Sequence, residues 1–153
     1  MEARMNIAEL TPELYQAVAL LDAAVNKSGL DKSLLHLVKI RASQINGCAY
    51  CVDRHVDEAL SEGLAPQKLH LLATWRESPL FSEAERAALG WTENVTRIAD
   101  SGIPDGAFDA AGAVFSDTQI AQLTMAISTI NLLNRLAVAS RMQHSVRPLQ
   151  AAG

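Results

Sequence analysis

Residues 34–55 read LLHLVKIRASQINGCAYCVDRH, and this stretch joins an apolar helix to a second helix that carries both cysteines of the chain. Its first part places apolar side chains at helical spacing from Leu34 to Ala42. The Asn-Gly pair at 46–47 is a turn signal that ends this pattern. The stretch therefore predicts two consecutive helices, with the cysteines at the start of the second.

The rest of the chain repeats this arrangement of helices and short connections. No segment alternates long enough to predict a strand, whereas N-terminal caps and turn residues recur throughout. The predicted helices, bounded by their caps and stop residues, span 12–29, 31–47, 48–63, 66–79, 82–102, 104–114 and 116–142. The sequence therefore predicts an all-α helical bundle of about six to seven helices. It also predicts one domain over residues 1–153, with 143–153 as a flexible tail.

Charge and hydropathy exclude two classes of partner. The 153-residue chain has a formal net charge of −4, and its Lys and Arg residues are scattered, so we expect no nucleic-acid partner. No apolar run approaches the ~18 residues that span a bilayer, and no secretory signal is recognisable, so we expect no membrane partner. The sequence predicts a cytoplasmic protein, a compartment where a C-x-x-C pair is more often redox-active or metal-binding than a permanent crosslink.

Cys48, Cys51 and His55 share one face of the predicted helix. Successive helical residues advance by about 100°, so the cysteines are about 60° apart and the imidazole falls between them in angle. The first turn of a helix favours a thiolate, because unpaired N–H groups and the positive end of the dipole lie there. These three residues are the candidates for thiol chemistry, with His55 as proton carrier.

Such a site suits peroxide reduction by a dithiol. A lowered thiol pKa raises the rate only modestly, because nucleophilicity falls with the pKa, whereas general acid assistance contributes typically ~10²–10⁴-fold. One cysteine would attack the peroxide and become a sulfenic acid, the other would condense with it, and an external dithiol would reopen the disulfide. This chemistry needs no bound cofactor and no metal.

The motif resembles the core of the carboxymuconolactone decarboxylase superfamily, in its alkyl hydroperoxidase D (AhpD)-like branch. The similarity is carried by residues 37–51, LVKIRASQINGCAYC, followed by His55, and in weaker form by residues 82–91 and 131–137. The resemblance implies an all-helical subunit, a homo-oligomer that is a trimer or a hexamer, and reduction of organic hydroperoxides. It also implies Cys51 as the peroxidatic thiol, Cys48 as the resolving thiol, and His55 in a proton relay. The prototype's reductant is a protein-borne dihydrolipoyl group, so a dithiol of this kind is an expected partner.

The chain departs from the family pattern at two positions. The relay usually begins with a glutamate twelve residues before the first cysteine, and His36 stands there instead. A second histidine can pass a proton but cannot supply a fixed negative charge. Glu58 could supply a carboxylate from the cysteine helix, although a solvated position is the favoured interpretation. Tyr50 stands where the prototype has a histidine, and we expect its ring to fill the pocket wall.

Other interpretations remain open at this point. His36 with the two cysteines and His55 would make a Cys₂His₂ set for zinc, and the same cysteines could be inert core residues or a redox sensor in a non-catalytic helical oligomer. The last helix is apolar on more than one stripe, which favours subunit association over a central position in a monomeric bundle. Polar side chains interrupt that helix at Asn131, Asn134 and Arg135, and we expect them to bond across a subunit contact rather than to line the active-site pocket.

Overall fold

The computed structural model describes residues 2–146, and within that range it contains nine α-helices, one 3-10 helix and no strand. The α-helices are α1 Ile7–Leu10, α2 Pro12–Asn26, α3 Lys32–Ile45, α4 Ala49–Ser61, α5 Pro66–His70, α6 Glu83–Thr96, α7 Ile98–Ser101, α8 Asp105–Gly112 and α9 Asp117–Ser140. The 3-10 helix is Leu72–Glu77. The all-α prediction is confirmed.

The predicted number of helices was wrong, because short helices and breaks escaped the sequence pattern. A four-residue helix, α1, precedes α2. The helix predicted over 66–79 is divided into α5 and the 3-10 helix, which is itself kinked at Thr74 (φ −116°). The helix predicted over 82–102 ends at Thr96, and α7 follows as a separate turn. Each break leaves the apolar spacing intact, so periodicity alone could not reveal it.

Helix α3 lies at the centre and packs against α4, α6 and α9. It is buried on two sides. Val38 belongs to one apolar cluster with residues of α6 and α9, while Leu37 and Ile40 belong to a second cluster with residues of the 3-10 helix and α6. Because apolar side chains on both faces remove α3 from solvent, the segment that leads into the cysteines is fixed in the core.

Local capping sets where the main helices begin. Asp31 accepts a hydrogen bond from the backbone N–H of Leu34 at the start of α3. The two capping boxes expected from the sequence are both present, at Ser82 before α6 and at Ser116 before α9. Gly47 has φ +66°, a left-handed conformation that disfavours side chains, so the turn between α3 and α4 suits glycine.

Helix α9 presents apolar side chains to the surface, as the sequence predicted. Leu132 and Val138 are 37% and 48% exposed. These surfaces are consistent with subunit association, and the homo-oligomer stays a prediction, as does the single domain over 1–153.

The predicted tail, 143–153, begins outside any helix. Residues 143–146 have no regular structure, and residues 147–153 lie outside the described part of the chain. No helix between residues 2 and 146 combines the length and apolarity needed to cross a membrane.

Candidate active site

Cys48 and Cys51 form a disulfide at the start of α4, with their Cα atoms 5.4 Å apart. Cys48 is the N-cap residue of the helix, and its Sγ accepts a hydrogen bond from the Cys51 backbone N–H at 3.3 Å. The turn at 46–47 ends α3 and reverses the chain, which places both sulfurs in the first turn of α4. The local prediction from the C-x-x-C spacing agrees with this arrangement.

The disulfide is almost fully buried. Cys48 and Cys51 are 2% and 4% exposed, and they form an apolar cluster with Ala137 of α9, against which Tyr50 and Met142 pack. The sulfurs therefore lie between α4 and the end of α9, away from bulk water.

A small pocket reaches Cys51 and His55; we call it the cysteine pocket. Its volume is about 30 Å³, space for about two water-sized molecules. The lining residues are Tyr15, Tyr50, Cys51, Arg54, His55, Leu133, Leu136, Ala137 and Met142. Tyr50 forms part of the wall, as expected from the sequence. Cys48 is absent from this lining, so Cys51 is the sulfur that faces the pocket.

His55 is held by a carboxylate on its own helix. Its Nδ1 lies 2.7 Å from Oε2 of Glu58, one helical turn away. Burial lowers the pKa of His55, and the hydrogen bond to Glu58 offsets only part of this decrease. The ring is therefore neutral at pH 7 and donates its Nδ1–H to Glu58. Nε2 is then the nitrogen that can accept a proton.

Glu58 also accepts a hydrogen bond from Nε of Arg54 at 2.8 Å. Burial acts to raise the pKa of Glu58, but the hydrogen bonds from Arg54 and His55 outweigh it and lower the pKa below its ordinary value. The contact between the charged Glu58 and the neutral His55 is therefore a charge-assisted hydrogen bond rather than an ion pair. Glu58 keeps a side-chain exposure of 38%, so the expected solvated position holds in part, while the i, i+3 spacing on α4 also brings its carboxylate to the imidazole.

His36 lies in a different pocket. Its Nε2 is 3.3 Å from Oε2 of Glu62. This second cavity, the polar pocket, has a volume of about 360 Å³. It is lined by Asp22, Asn26, Lys32, Leu35, His36, Lys39, Arg54, Glu58 and Glu62. Arg54 and Glu58 are the link between the sites, since Arg54 lines both pockets and Glu58 binds His55.

The four residues considered as zinc ligands are not assembled as a set. The two sulfurs are bonded to each other, Nδ1 of His55 binds Glu58, and His36 borders the polar pocket. Across residues 2–146, no group of three or more His, Cys, Asp or Glu side chains is placed to hold a metal ion.

A buried amide network fixes the turn that leads into the cysteines. Nδ2 of Asn46 donates to Oδ1 of Asn131 and to Oδ1 of Asn134, both at 2.9 Å. Asn134 in turn donates to Oγ of Ser43 at 2.9 Å. The expectation of a subunit contact was wrong for Asn131 and Asn134, because their amides bond within the chain. The spacing of the two asparagines on α9 predicted that they share a face of the helix, but it did not predict that they bind Asn46.

The sequence of this chain matches a known protein family and a bacterial relative. The family model described as "Carboxymuconolactone decarboxylase family" matches residues 12–94. The uncharacterized protein YdfG of Bacillus subtilis is 31% identical over 139 residues, which cover 91% of this chain and 95% of that protein.

Solved structures share the fold. A protein of unknown function from Agrobacterium tumefaciens, provisionally named an antioxidant defence protein AhpD, is 49% identical, with a TM-score of 0.93 over 95% of this chain and 100% of that one. The debrominase Bmp8 in its apo form is 21% identical, with a TM-score of 0.81 over 90% of this chain and 74% of that chain. The similarity to Bmp8 supports a shared fold and nothing more.

Proposed function

This chain belongs to the carboxymuconolactone decarboxylase family and has an AhpD-like fold, and from that premise we propose that it is a thiol-dependent peroxidase. It reduces organic hydroperoxides through a Cys48–Cys51 dithiol/disulfide cycle, with His55 as the proton relay. The proposal rests above all on one observation: Cys51 shares a pocket with a buried, neutral histidine whose other nitrogen is fixed by Glu58.

The first step in the reduced protein is proton transfer from the Cys51 thiol to Nε2 of His55. The thiolate then attacks the terminal oxygen of the hydroperoxide, so that the S–O bond forms as the O–O bond breaks. The departing alkoxide takes the proton from the His55 imidazolium and leaves as an alcohol. Cys51 is left as a sulfenic acid.

The second step closes the disulfide. The Cys48 thiol attacks the sulfenic sulfur of Cys51, and water leaves. An external dithiol, such as the protein-borne dihydrolipoyl group that the family resemblance implies, then reduces the disulfide by thiol exchange. Because both sulfurs are buried, this exchange requires the reductant to reach Cys51 through the cysteine pocket or requires the pocket to open.

Glu58 acts through His55 as a positioning residue. Its carboxylate selects the tautomer that leaves Nε2 unprotonated, and its negative charge stabilises the imidazolium formed in the first step. This is the task that the family assigns to a glutamate at the position of His36. His36 lines the polar pocket together with Glu58, so its proposed part is limited to proton exchange on that side.

A homo-oligomer, trimer or hexamer, in the cytoplasm completes the proposal. The exposed apolar residues of α9 support association, and a reducing compartment would supply the dithiol. Solution mass measured by light scattering distinguishes the two assemblies from a monomer.

A thiol count tests the function. Protein reduced with dithiothreitol and then desalted is mixed with one equivalent of ethyl hydroperoxide, and we expect the loss of two thiols per chain and the formation of one ethanol. Cys51→Ser should reduce peroxide consumption by at least ~10³-fold, since the nucleophile is lost. Cys48→Ser should react once and stop at a sulfenic acid, which intact-protein mass spectrometry detects as the gain of one oxygen atom.

The same experiment separates the alternatives. Turnover that survives in Cys51→Ser would refute the assignment of the nucleophile. A single oxidation without repeated turnover in excess dithiothreitol would instead favour a redox sensor, and zinc released from the purified protein would favour a metal site.

A further inference from the structure

We propose that the cysteine pocket limits the substrate by size, so that Cys51 reacts with hydrogen peroxide and short alkyl hydroperoxides and excludes bulky ones. Tyr15 and Met142 set the limit. This inference rests on the proposed peroxidase function and names the class of substrate for the same site.

The size of the cavity is the first support. Its volume of about 30 Å³ corresponds to about two water-sized molecules, which matches the two oxygens of a hydroperoxide group. A ring needs far more space, since an apolar cavity that binds benzene has a volume on the order of 150 Å³. The polar pocket is larger, but Cys51 is not among its lining residues, so it offers no route to the sulfur.

The inner walls of the cavity are held in place by the core. They come from α4 and from Leu133, Leu136 and Ala137 of α9. The turn before α4 is tied to α9 by the hydrogen bonds from Asn46 to the two asparagines of that helix. Because these bonds are within the chain and largely buried, widening the cavity by separating α4 from α9 would leave polar groups unsatisfied.

Two further lining residues come from other parts of the chain. Tyr15 lies on α2, and Met142 follows the end of α9; both are half-buried. The backbone N–H of Met142 donates to the carbonyl of Ala137 at 2.9 Å, after Arg141 turns the chain with φ +54°. The neighbouring Ser140 carbonyl accepts a hydrogen bond from the N–H of Arg4 at 2.9 Å. Met142 is therefore fixed over the cavity by its backbone.

Rates of thiol loss test the size limit. Reduced wild-type protein is mixed with hydrogen peroxide, ethyl hydroperoxide and cumene hydroperoxide, and we expect cumene hydroperoxide to react at least ~10-fold more slowly than ethyl hydroperoxide. Met142→Ala should raise the cumene hydroperoxide rate at least ~5-fold and change the hydrogen peroxide rate by less than ~2-fold. Tyr15→Ala should act in the same direction.

Met125→Ala is the matched control, because Met125 is 49% exposed and lies outside the cysteine pocket. It should leave the ratio of the two rates unchanged. Equal rates for ethyl and cumene hydroperoxide in the wild type would overturn the proposal. So would a uniform change for all peroxides in both Met142→Ala and Tyr15→Ala, since such a change reports a general structural effect.

Alkylation separates this inference from the proposed function. In reduced Cys48→Ser, Cys51 is treated with iodoacetamide or with the larger N-phenylmaleimide, neither of which requires peroxidase activity. Adding Met142→Ala should raise the maleimide rate relative to the iodoacetamide rate. An unchanged ratio refutes the size limit alone, whereas a wild type that no hydroperoxide oxidises refutes the proposed function and with it the substrate class.

Discussion

Two histidines of this protein lie beside a glutamate, but one pair borders the disulfide and the other borders the polar pocket. His55 is buried, and its Nδ1 lies 2.7 Å from Glu58. His36 lies 3.3 Å from Glu62, whose carboxylate also lies 3.9 Å from Nζ of Lys32. The pairs use the same residue types, yet only His55 shares a pocket with Cys51.

The two pairs differ in the burial and charge on which the proposed proton relay depends. Burial keeps His55 neutral and ready to accept a proton, and Glu58 keeps its negative charge through Arg54 and His55. The glutamate beside His36 is shared with a lysine and is more exposed, with a side-chain exposure of 45%. The position that the family resemblance indicates, His36, therefore lies apart from the pocket that holds Cys51.

The largest expected effect comes from substituting the two histidines, His55 and His36. His55→Gln should slow peroxide-dependent thiol loss by about 10²- to 10³-fold, because general acid–base assistance is removed. His36→Gln should slow it by less than about 3-fold, since His36 lies outside the pocket that holds Cys51. Stopped-flow thiol titration measures both, and a larger loss for His36→Gln would invert the comparison.

The glutamates provide the next test. Glu58→Gln keeps a hydrogen-bond acceptor but removes the charge that stabilises the imidazolium, so the rate should fall on the order of tenfold. Since the charge of Glu58 raises the pKa of His55, the acid inflection of the rate profile should also move to lower pH.

Glu62→Gln is the matched control for this change. It should leave both the rate and the inflection nearly as in the wild type. If Glu58→Gln lowered the rate without moving the inflection, Glu58 would have only a structural role.

The smallest expected effect concerns stability. Burial lowers the pKa of His55 in the folded state, whereas the unfolded chain titrates near ~6.5. The stabilisation from the neutral ring is therefore complete above about pH 6.5 and is lost as the pH falls through the folded pKa. Between pH 7 and pH 5, the Tm of the wild type should fall more than the Tm of His55→Gln. The difference between the two decreases should be on the order of a few °C. Parallel declines measured by calorimetry would contradict this.

The helices show how far the sequence was sufficient. Caps and apolar spacing predicted the starts of α3, α6 and α9, because hydrogen bonds between near neighbours fix those ends. The breaks at Thr74 and Thr96 were not predicted, since no proline or glycine marks either position in the sequence. The C-x-x-C disulfide was predictable because its geometry is local to one turn.

The site shows where sequence reasoning failed. The position of Glu58 was visible at i+3 from His55, yet whether its carboxylate would face the imidazole or water depended on burial around α4. The same holds for Asn131 and Asn134, whose spacing on α9 showed a common face, while their partners Asn46 and Ser43 lie 85 to 91 positions earlier in the chain.

The sequence by itself determined the all-α class, the family and the dithiol with its histidine, because each is encoded in spacings of a few residues. Only the tertiary structure decided which glutamate binds His55, which sulfur faces a cavity, and how small that cavity is. Those properties arise where α4, α9, α2 and the segment after α9 meet. Long-range packing, rather than local preference, sets the distances at that junction.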